Sequence, residues 1–242
     1  MSDDRPLAGR IALVTGASRG IGYQAAKGFA AAGAHVVAVA RTVGGLEELD
    51  DAIRRVGGSA TLVPLDLQDS PGIARLGEAI FKRWGKLDVF LANAGVLGQL
   101  SPLGHVPPKV WDEVMAVNVT ANWRLIRSLD PLLRRSDAGR AIFVTSGISR
   151  KVVPYWSAYA ASKAALDMLI GTYAAEVAHT AVRVNLYNPG PMRTVMRQQA
   201  FPGENPEQQV PPEAHAEGLI RLALPSCTLN GQWVAGDEAV AG

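Results

Sequence analysis

Short apolar runs alternate with longer amphipathic stretches along most of this 242-residue chain. Ile11-Ala12-Leu13-Val14, Val36 to Ala40, Thr61 to Leu65 and Leu87 to Leu91 are the first four runs. Ala141 to Thr145 and Val182 to Leu186 continue the series, and Gln232-Trp233-Val234 is a weaker seventh near the end. Runs this short and this continuously apolar fit strands buried on both faces. Between them apolar residues recur at helical spacing, as Ile21, Ala25, Phe29 and Ala32, then Leu46, Leu49, Ile53 and Val56, then Ile73, Leu76, Ile80 and Trp84. Residues 108–135 and 155–178 read as two longer helices, each with an apolar face. Strand–helix alternation throughout predicts βαβ units. With right-handed crossovers the expected architecture is α/β, a single Rossmann-type domain over 1–242 with a doubly wound, seven-stranded parallel sheet and helices on both faces.

One stretch breaks the alternation. Residues 189–213 hold Pro189, Pro191, Pro202, Pro206, Pro211 and Pro212 with Gly190 and Gly203. A loop this long in a compact domain is functional or unstructured. It follows the sixth strand, on the edge where such sheets bind ligands, and is read as a substrate lid rather than a variable surface loop.

Composition narrows the function classes. Lys and Arg number 24 against 22 Asp and Glu, a net charge of +2, which gives no case for nucleic acid or an acidic membrane surface. Cys227 is the sole cysteine, so no intrachain disulfide forms, and it is read as a small buried hydrophobe. Met1 to Pro6 is polar with no apolar leader, and no run of 18 apolar residues suggests a spanning helix. The expected location is the cytoplasm. His35, His105, His179 and His215 are scattered without metal-ligand spacing, so no metal is expected.

The chemistry concentrates in Tyr159-Ala-Ala-Ser-Lys163 on the second long helix, with Ser146 at the end of the fifth strand. Tyr159 and Lys163 at i and i+4 place an ammonium beside a phenol, with Cβ atoms roughly 5–6 Å apart. A neighbouring cation favours the charged form of a phenol, so the expectation is a Tyr tuned to exchange a proton near neutral pH. The turn Thr15-Gly16-Ala17-Ser18-Arg19-Gly20-Ile21-Gly22 joins the first strand to the first helix. Its amides and the helix N-terminus would face a diphosphate. A tuned acid and a held dinucleotide point to hydride transfer to or from a carbonyl. Either piece alone has a plainer reading, an exposed helical pair or a turn; order and position carry the case.

Other polar residues fall at strand ends: Asp66 after the third, Asn93-Ala94-Gly95 after the fourth, and Pro189-Gly190 with Thr194 after the sixth. Asn118 falls inside the first long helix. The second strand ends Ala38-Val39-Ala40-Arg41-Thr42 and offers no acid to the adenosine ribose of NAD. Arg41 stands where a guanidinium meets a 2′-phosphate, and Arg19 approaches the same place. NADP(H) is therefore expected over NAD(H).

With these motifs in order, the chain resembles the short-chain dehydrogenase/reductase family from about residue 8 to about residue 237. Within it the chain is most similar to 3-oxoacyl-acyl-carrier-protein reductase-like members, with Leu132 to Gly139 and Met196 to Pro202 adding to the likeness. The resemblance implies that Tyr159 is the general acid, that Lys163 tunes it and bonds the nicotinamide ribose, and that Ser146 donates to the same carbonyl oxygen. It implies that Asn118 opens its helix and holds a proton-relaying water. Gly16, Ser18, Arg19, Gly20, Ile21 and Gly22 would cradle the cofactor, with Asp66 and Leu67 at the adenine. Asn93, Ala94 and Gly95 would pack beside the adenosine ribose. Pro189, Gly190, Met192 and Thr194 would grip the carboxamide. Tyr155 and Trp156 would line the substrate pocket with Ser146 and Tyr159.

A homo-oligomer is expected, a tetramer or a dimer, through the two long helices, with Trp123, Leu129, Leu132, Met168, Leu169 and Tyr173 as its apolar surplus. The expected function is NADP(H)-dependent reduction of a carbonyl to a secondary alcohol, a 3-oxoacyl thioester among the candidates. The alternatives are an NAD-linked secondary alcohol or sugar dehydrogenase and a non-catalytic dinucleotide-binding sensor or scaffold. An intact Asn118, Ser146, Tyr159 and Lys163 set argues against the last, since a binder needs no acid.

Overall fold

The alternation becomes one parallel sheet of seven strands in a computed structural model that describes residues 5–236. The polar start, Met1 to Asp4, lies outside the described residues. The strands are β1 Ile11–Thr15, β2 His35–Ala40, β3 Ser59–Pro64, β4 Val89–Ala92, β5 Arg140–Val144, β6 Arg183–Asn188 and β7 Trp233–Ala235, in spatial order β3-β2-β1-β4-β5-β6-β7. The order reverses between β1 and β4, the position where doubly wound sheets open a ligand crevice. β3 departs from the expected full burial: it is an edge strand, and its side chains are only half covered because it has a single neighbour.

Successive strand residues point to opposite faces and so build two cores. Ala12 and Val14 of β1 join Ala25 and Phe29 of α1 Gly20–Ala31, Leu46 and Leu49 of α2 Val43–Arg55, and Leu219 of the late helix Ala216–Ala223. Ile11 and Leu13 face the other way, onto Ile73 and Ile80 of α3 Ser70–Trp84 and onto Leu125, Leu129, Leu166 and Ile170. Cys227 packs half-buried against the first core.

The expected long helix over 108–135 is three pieces: α4 Pro108–Met115, one π-turn Ala116–Thr120, and α5 Ala121–Leu133. The second long helix is continuous as α6 Ser157–Glu176. The expected interface set divides. Leu129, Leu132 and Tyr173 are buried in the chain's own core, and the Tyr173 hydroxyl donates to Asp130 at 2.8 Å. Trp123 and Met168 remain exposed, at 44% and 74%. The irregular stretch after β6 is ordered, with α7 Val195–Ala200, a parallel bridge from Met192 to Val210, and an Arg197–Glu204 ion pair. α8 Ala216–Ala223 follows. Among the described residues no helix is long and apolar enough to cross a membrane.

Candidate active site

Strand ends on the C-terminal edge of the sheet surround one cleft of about 1160 Å³. Its base is the joint between β1 and β4. The Thr15 hydroxyl accepts the amides of Asn93 and Ala94 at 3.1 and 3.2 Å, and Asn93 Nδ2 returns bonds to the carbonyls of Thr15 and Gly16 at 3.0 and 3.1 Å. This clip leaves no room for side chains. A Cβ on Gly16, whose φ is +66°, would stand 2.8 Å from Asn93 Nδ2 and 2.9 Å from Ala94 Cα. A Cβ on Gly22 would overlap Asn93 Nδ2 and the Gly16 carbonyl. Gly22 therefore does not line the cleft; it lets α1 approach the clip.

The first turn of α1 holds no acidic residue, and its leading amides have no intrahelical acceptor. Ser18, Arg19, Gly20 and Ile21 line the cleft there. Arg41 reaches it from the end of β2 and lies 3.9 Å from Asp66, with both side chains about half exposed. Asp66 Oδ1 also accepts the Gln68 amide at 2.9 Å. Leu67, Asn93, Ala94 and Gly95 continue the wall, and Pro189, Gly190, Met192 and Thr194 close its far side. A turn of unfilled amides flanked by two guanidiniums fits the phosphates of a dinucleotide.

Ser146, Tyr159 and Lys163 meet at the inner end. Ser146 leaves β5 in extended backbone and caps a short 3₁₀ turn, Gly147–Arg150, whose Gly147 amide is held by Asn188 Oδ1 at 3.0 Å. Tyr159 and Lys163 project from α6, Lys163 Nζ standing 5.8 Å from the centre of the Tyr159 ring. Lys163 Nζ donates to the Val144 carbonyl at 2.9 Å. Both groups are almost wholly buried, and burial disfavours their charged forms. It pushes the Tyr159 phenol up to about 12, against the opposing Ser146 hydroxyl, and the Lys163 ammonium down to about 8, against the opposing Asp167 carboxylate. The expected lowering of the phenol by its cationic neighbour is thus corrected: desolvation dominates, the Ser146 hydroxyl is what opposes it, and Tyr159 holds its proton at neutral pH.

Asn118 lies in the π-turn, completely buried behind the cleft wall. Its Oδ1 accepts the Val96 amide at 2.9 Å, and its Nδ2 donates to the Val96 carbonyl at 2.9 Å and to Ser162 Oγ at 3.0 Å. Ser162 Oγ in turn donates to the Tyr159 carbonyl at 2.7 Å. The Asn118 carbonyl accepts from Asn122 Nδ2 at 2.8 Å. Its side chain ties the loop after β4 to α6.

The substrate-side expectation is half corrected. Trp156 lines the cleft, with its ring 6.1 Å from that of Tyr159 and 5.6 Å from Phe201 on the segment after β6. Tyr155 does not line it. Its backbone is left-handed at φ 73°, its carbonyl accepts the Ser101 amide at 3.1 Å, and the side chain is 60% exposed. The chain reverses there to enter α6, and the reversal sends neighbouring side chains to different places. Thr15, Asn188, Ser162, Phe201 and Asp167 were not anticipated. Hydroxyl and amide residues at strand ends, and a carboxylate one helical turn beyond Lys163, were the available signals. Among the described residues no cluster of His, Cys, Asp and Glu is arranged to hold a metal.

A doubly wound sheet with a Gly-rich turn at its switch point, and a Ser, Tyr and Lys set at the same crevice, defines a dinucleotide-type oxidoreductase site. The sequence profile of the short chain dehydrogenase family matches residues 10–205, and the chain belongs to that family. It is 40% identical over 233 residues to the uncharacterized oxidoreductase YciK of Escherichia coli (strain K12), covering 95% of this chain and 87% of that protein. It is 39% identical over 192 residues to the rhamnolipids biosynthesis 3-oxoacyl-[acyl-carrier-protein] reductase of Pseudomonas aeruginosa, covering 76% and 73%. The structure of a short chain dehydrogenase from Shigella flexneri 2a str. 301, complexed with NADP, superposes with a TM-score of 0.93 at 36% identity, covering 97% of this chain and all of that one.

Proposed function

We propose that this oxidoreductase uses NADP(H) to reduce a carbonyl to a secondary alcohol. The observation that carries the reading is the single cleft that Ser146, Tyr159 and Lys163 share with the Gly-rich turn, Arg19 and Arg41. When bound, NADPH supplies the hydride. Arg41 and Arg19 take the 2′-phosphate, and the amides at the start of α1 take the diphosphate. Tyr159, protonated at neutral pH, donates its proton to the substrate oxygen, and Ser146 donates a hydrogen bond to that oxygen as negative charge develops. Lys163 holds its charge beside the Tyr159 ring and would bond the nicotinamide ribose. The NADP complex of the Shigella flexneri relative supports the cofactor assignment.

Trp156 and Phe201 form an aromatic wall that favours an apolar body next to the carbonyl. The 3-oxoacyl reductase among the relatives supports a 3-oxoacyl thioester as one candidate. The segment 189–213 serves as the lid over this pocket. Exposed Trp123 and Met168 support a homo-oligomer, a tetramer, built through α5 and α6. A lone unpaired cysteine suits a reducing compartment, the cytoplasm. NADPH absorbance followed against ketones, β-ketoesters, quinones and acyl thioesters tests the reading. At least one class is turned over, and Tyr159→Phe loses about 10²–10⁴-fold in rate while still binding NADPH. A protein that binds NADPH and reduces nothing, or a Tyr159→Phe variant at full rate, refutes it.

A further inference from the structure

We propose that Asp167 is a positioning residue for this reaction: its carboxylate pins the turn that carries Ser146 against α6, and so sets where Ser146 stands relative to Tyr159 and Lys163. This rests on the roles just given to those three residues. Asp167 follows Lys163 by one helical turn, so both project from one face of α6. Its Oδ1 accepts from the hydroxyl of Thr145, and its Oδ2 accepts from the hydroxyl of Ser149 at 2.6 Å. Thr145 immediately precedes Ser146, and Ser149 closes the turn after it, its amide donating to the Ser146 carbonyl at 3.0 Å. Ser146 is therefore held on both sides by one carboxylate, with each oxygen committed to a different flank.

Thr145 is buried, and its amide is fixed to the Tyr187 carbonyl of β6 at 2.8 Å. The Ser149 flank has no such strand pairing: Asn188 Oδ1 holds the Gly147 amide at its start, Arg150 stacks 4.3 Å from the Trp233 ring at its end, and Asp167 is what ties its Ser149 hydroxyl to α6. Hydrogen bonds to a charged acceptor are the strong ones, which suits a joint between a strand end and a helix.

The same carboxylate acts on Lys163 through its field. The groups around Lys163 include the Val144 carbonyl from β5, the Tyr159 phenol from α6 and, from the loop after β4, uncharged Gly95, where a Cβ would lie 3.7 Å from Lys163 Nζ. Asp167 is the charged group that raises Lys163 against its burial. Removing that charge makes Lys163 lose its proton at lower pH.

Three variants separate the two effects. Asp167→Asn keeps a side chain of the same shape between two hydroxyls and removes the charge. Asp167→Ala removes both, and Ser149→Ala removes one bond and no charge. Amide hydrogen exchange over residues 147–151 is read first, because it does not depend on turnover. Asp167→Ala speeds exchange there by about tenfold, with the β1–α1 amides unchanged. In turnover, Asp167→Ala loses about 10–10²-fold in kcat with the KM for NADPH little changed, since small misplacement near the chemistry is costly. Ser149→Ala shows a smaller loss of kcat with an unmoved pH profile. Asp167→Asn shifts the alkaline limb of kcat/KM to lower pH with little loss at its optimum.

Unchanged exchange in Asp167→Ala overturns the proposal whatever the activity. An unmoved limb in Asp167→Asn, together with full kcat in Asp167→Ala, overturns it as well. Absence of turnover in the unmutated protein refutes the proposed reaction instead and leaves exchange to decide on Asp167.

Discussion

Replacing Arg41 with Ala isolates the element of the cleft that reads the 2′-phosphate. Arg41 is more than half exposed, and its ion-pair partner among the described residues, Asp66, lies 3.9 Å away and is 45% exposed. A water-screened pair of that kind is worth about 0–1 kcal/mol, so the guanidinium is released for a ligand at little cost. A hydrogen bond to a charged group contributes about 1.5–3 kcal/mol, and exposure places Arg41 at the lower end. At 3.9 Å and half exposed, the Asp66 contact subtracts almost nothing from the lower figure, so roughly 1.4 kcal/mol remains, a factor of about ten in affinity. Arg41→Ala therefore raises the Kd for NADPH about tenfold and leaves that for NADH within about twofold. Calorimetric or fluorescence titration of both cofactors checks this, and the gap shrinks with added salt because the contact is screened. Equal Kd values for the two cofactors in the unmutated protein refute the reasoning, as does an Arg41→Ala variant that weakens both alike.

Reduction needs Lys163 charged and Tyr159 protonated. Burial lowers the first to about 8 and raises the second to about 12, so the rate is flat at neutral pH and falls as pH rises through about 8, with Lys163 losing its charge first. A pH–kcat/KM profile that stays level to pH 10 contradicts the burial argument. Gly22→Ala drives a Cβ into Asn93 Nδ2 and the Gly16 carbonyl; overpacking of this kind costs about 1–3 kcal/mol and lowers Tm by about 2–4 °C per kcal/mol. Differential scanning fluorimetry showing an unchanged Tm removes the claim that the clip requires this glycine. Light scattering at micromolar concentration finds a tetramer; a monomer of 25.6 kDa alone rejects the assignment of α5 and α6 as an interface.

The pattern of apolar runs was enough to place the strands and the sheet class, because a parallel strand buried on both faces reads as a near-continuous apolar run. Spacing along α6 was enough to pair Tyr159 with Lys163, because helical geometry is local. The Gly-rich turn was legible for the same reason, since strand, turn and helix follow one another directly. What escaped depends on residues far apart in the chain. Asn118 meets Val96 and Ser162 only after α4 and α6 pack against the loop from β4. The opening of the expected long helix at Asn118, into α4, a π-turn and α5, was implied by the family resemblance alone, since apolar spacing reads straight through it. Leu129, Leu132 and Tyr173 resembled surplus surface until three helices and the sheet covered them. Tyr155 and Trp156 are adjacent and both aromatic, yet one left-handed residue sends only the second into the cleft. The balance at Tyr159 and Lys163 follows the same rule. Sequence places a cation near a phenol, but how much water the fold removes from each decides the sign of the shift, and desolvation is a property of the whole tertiary structure.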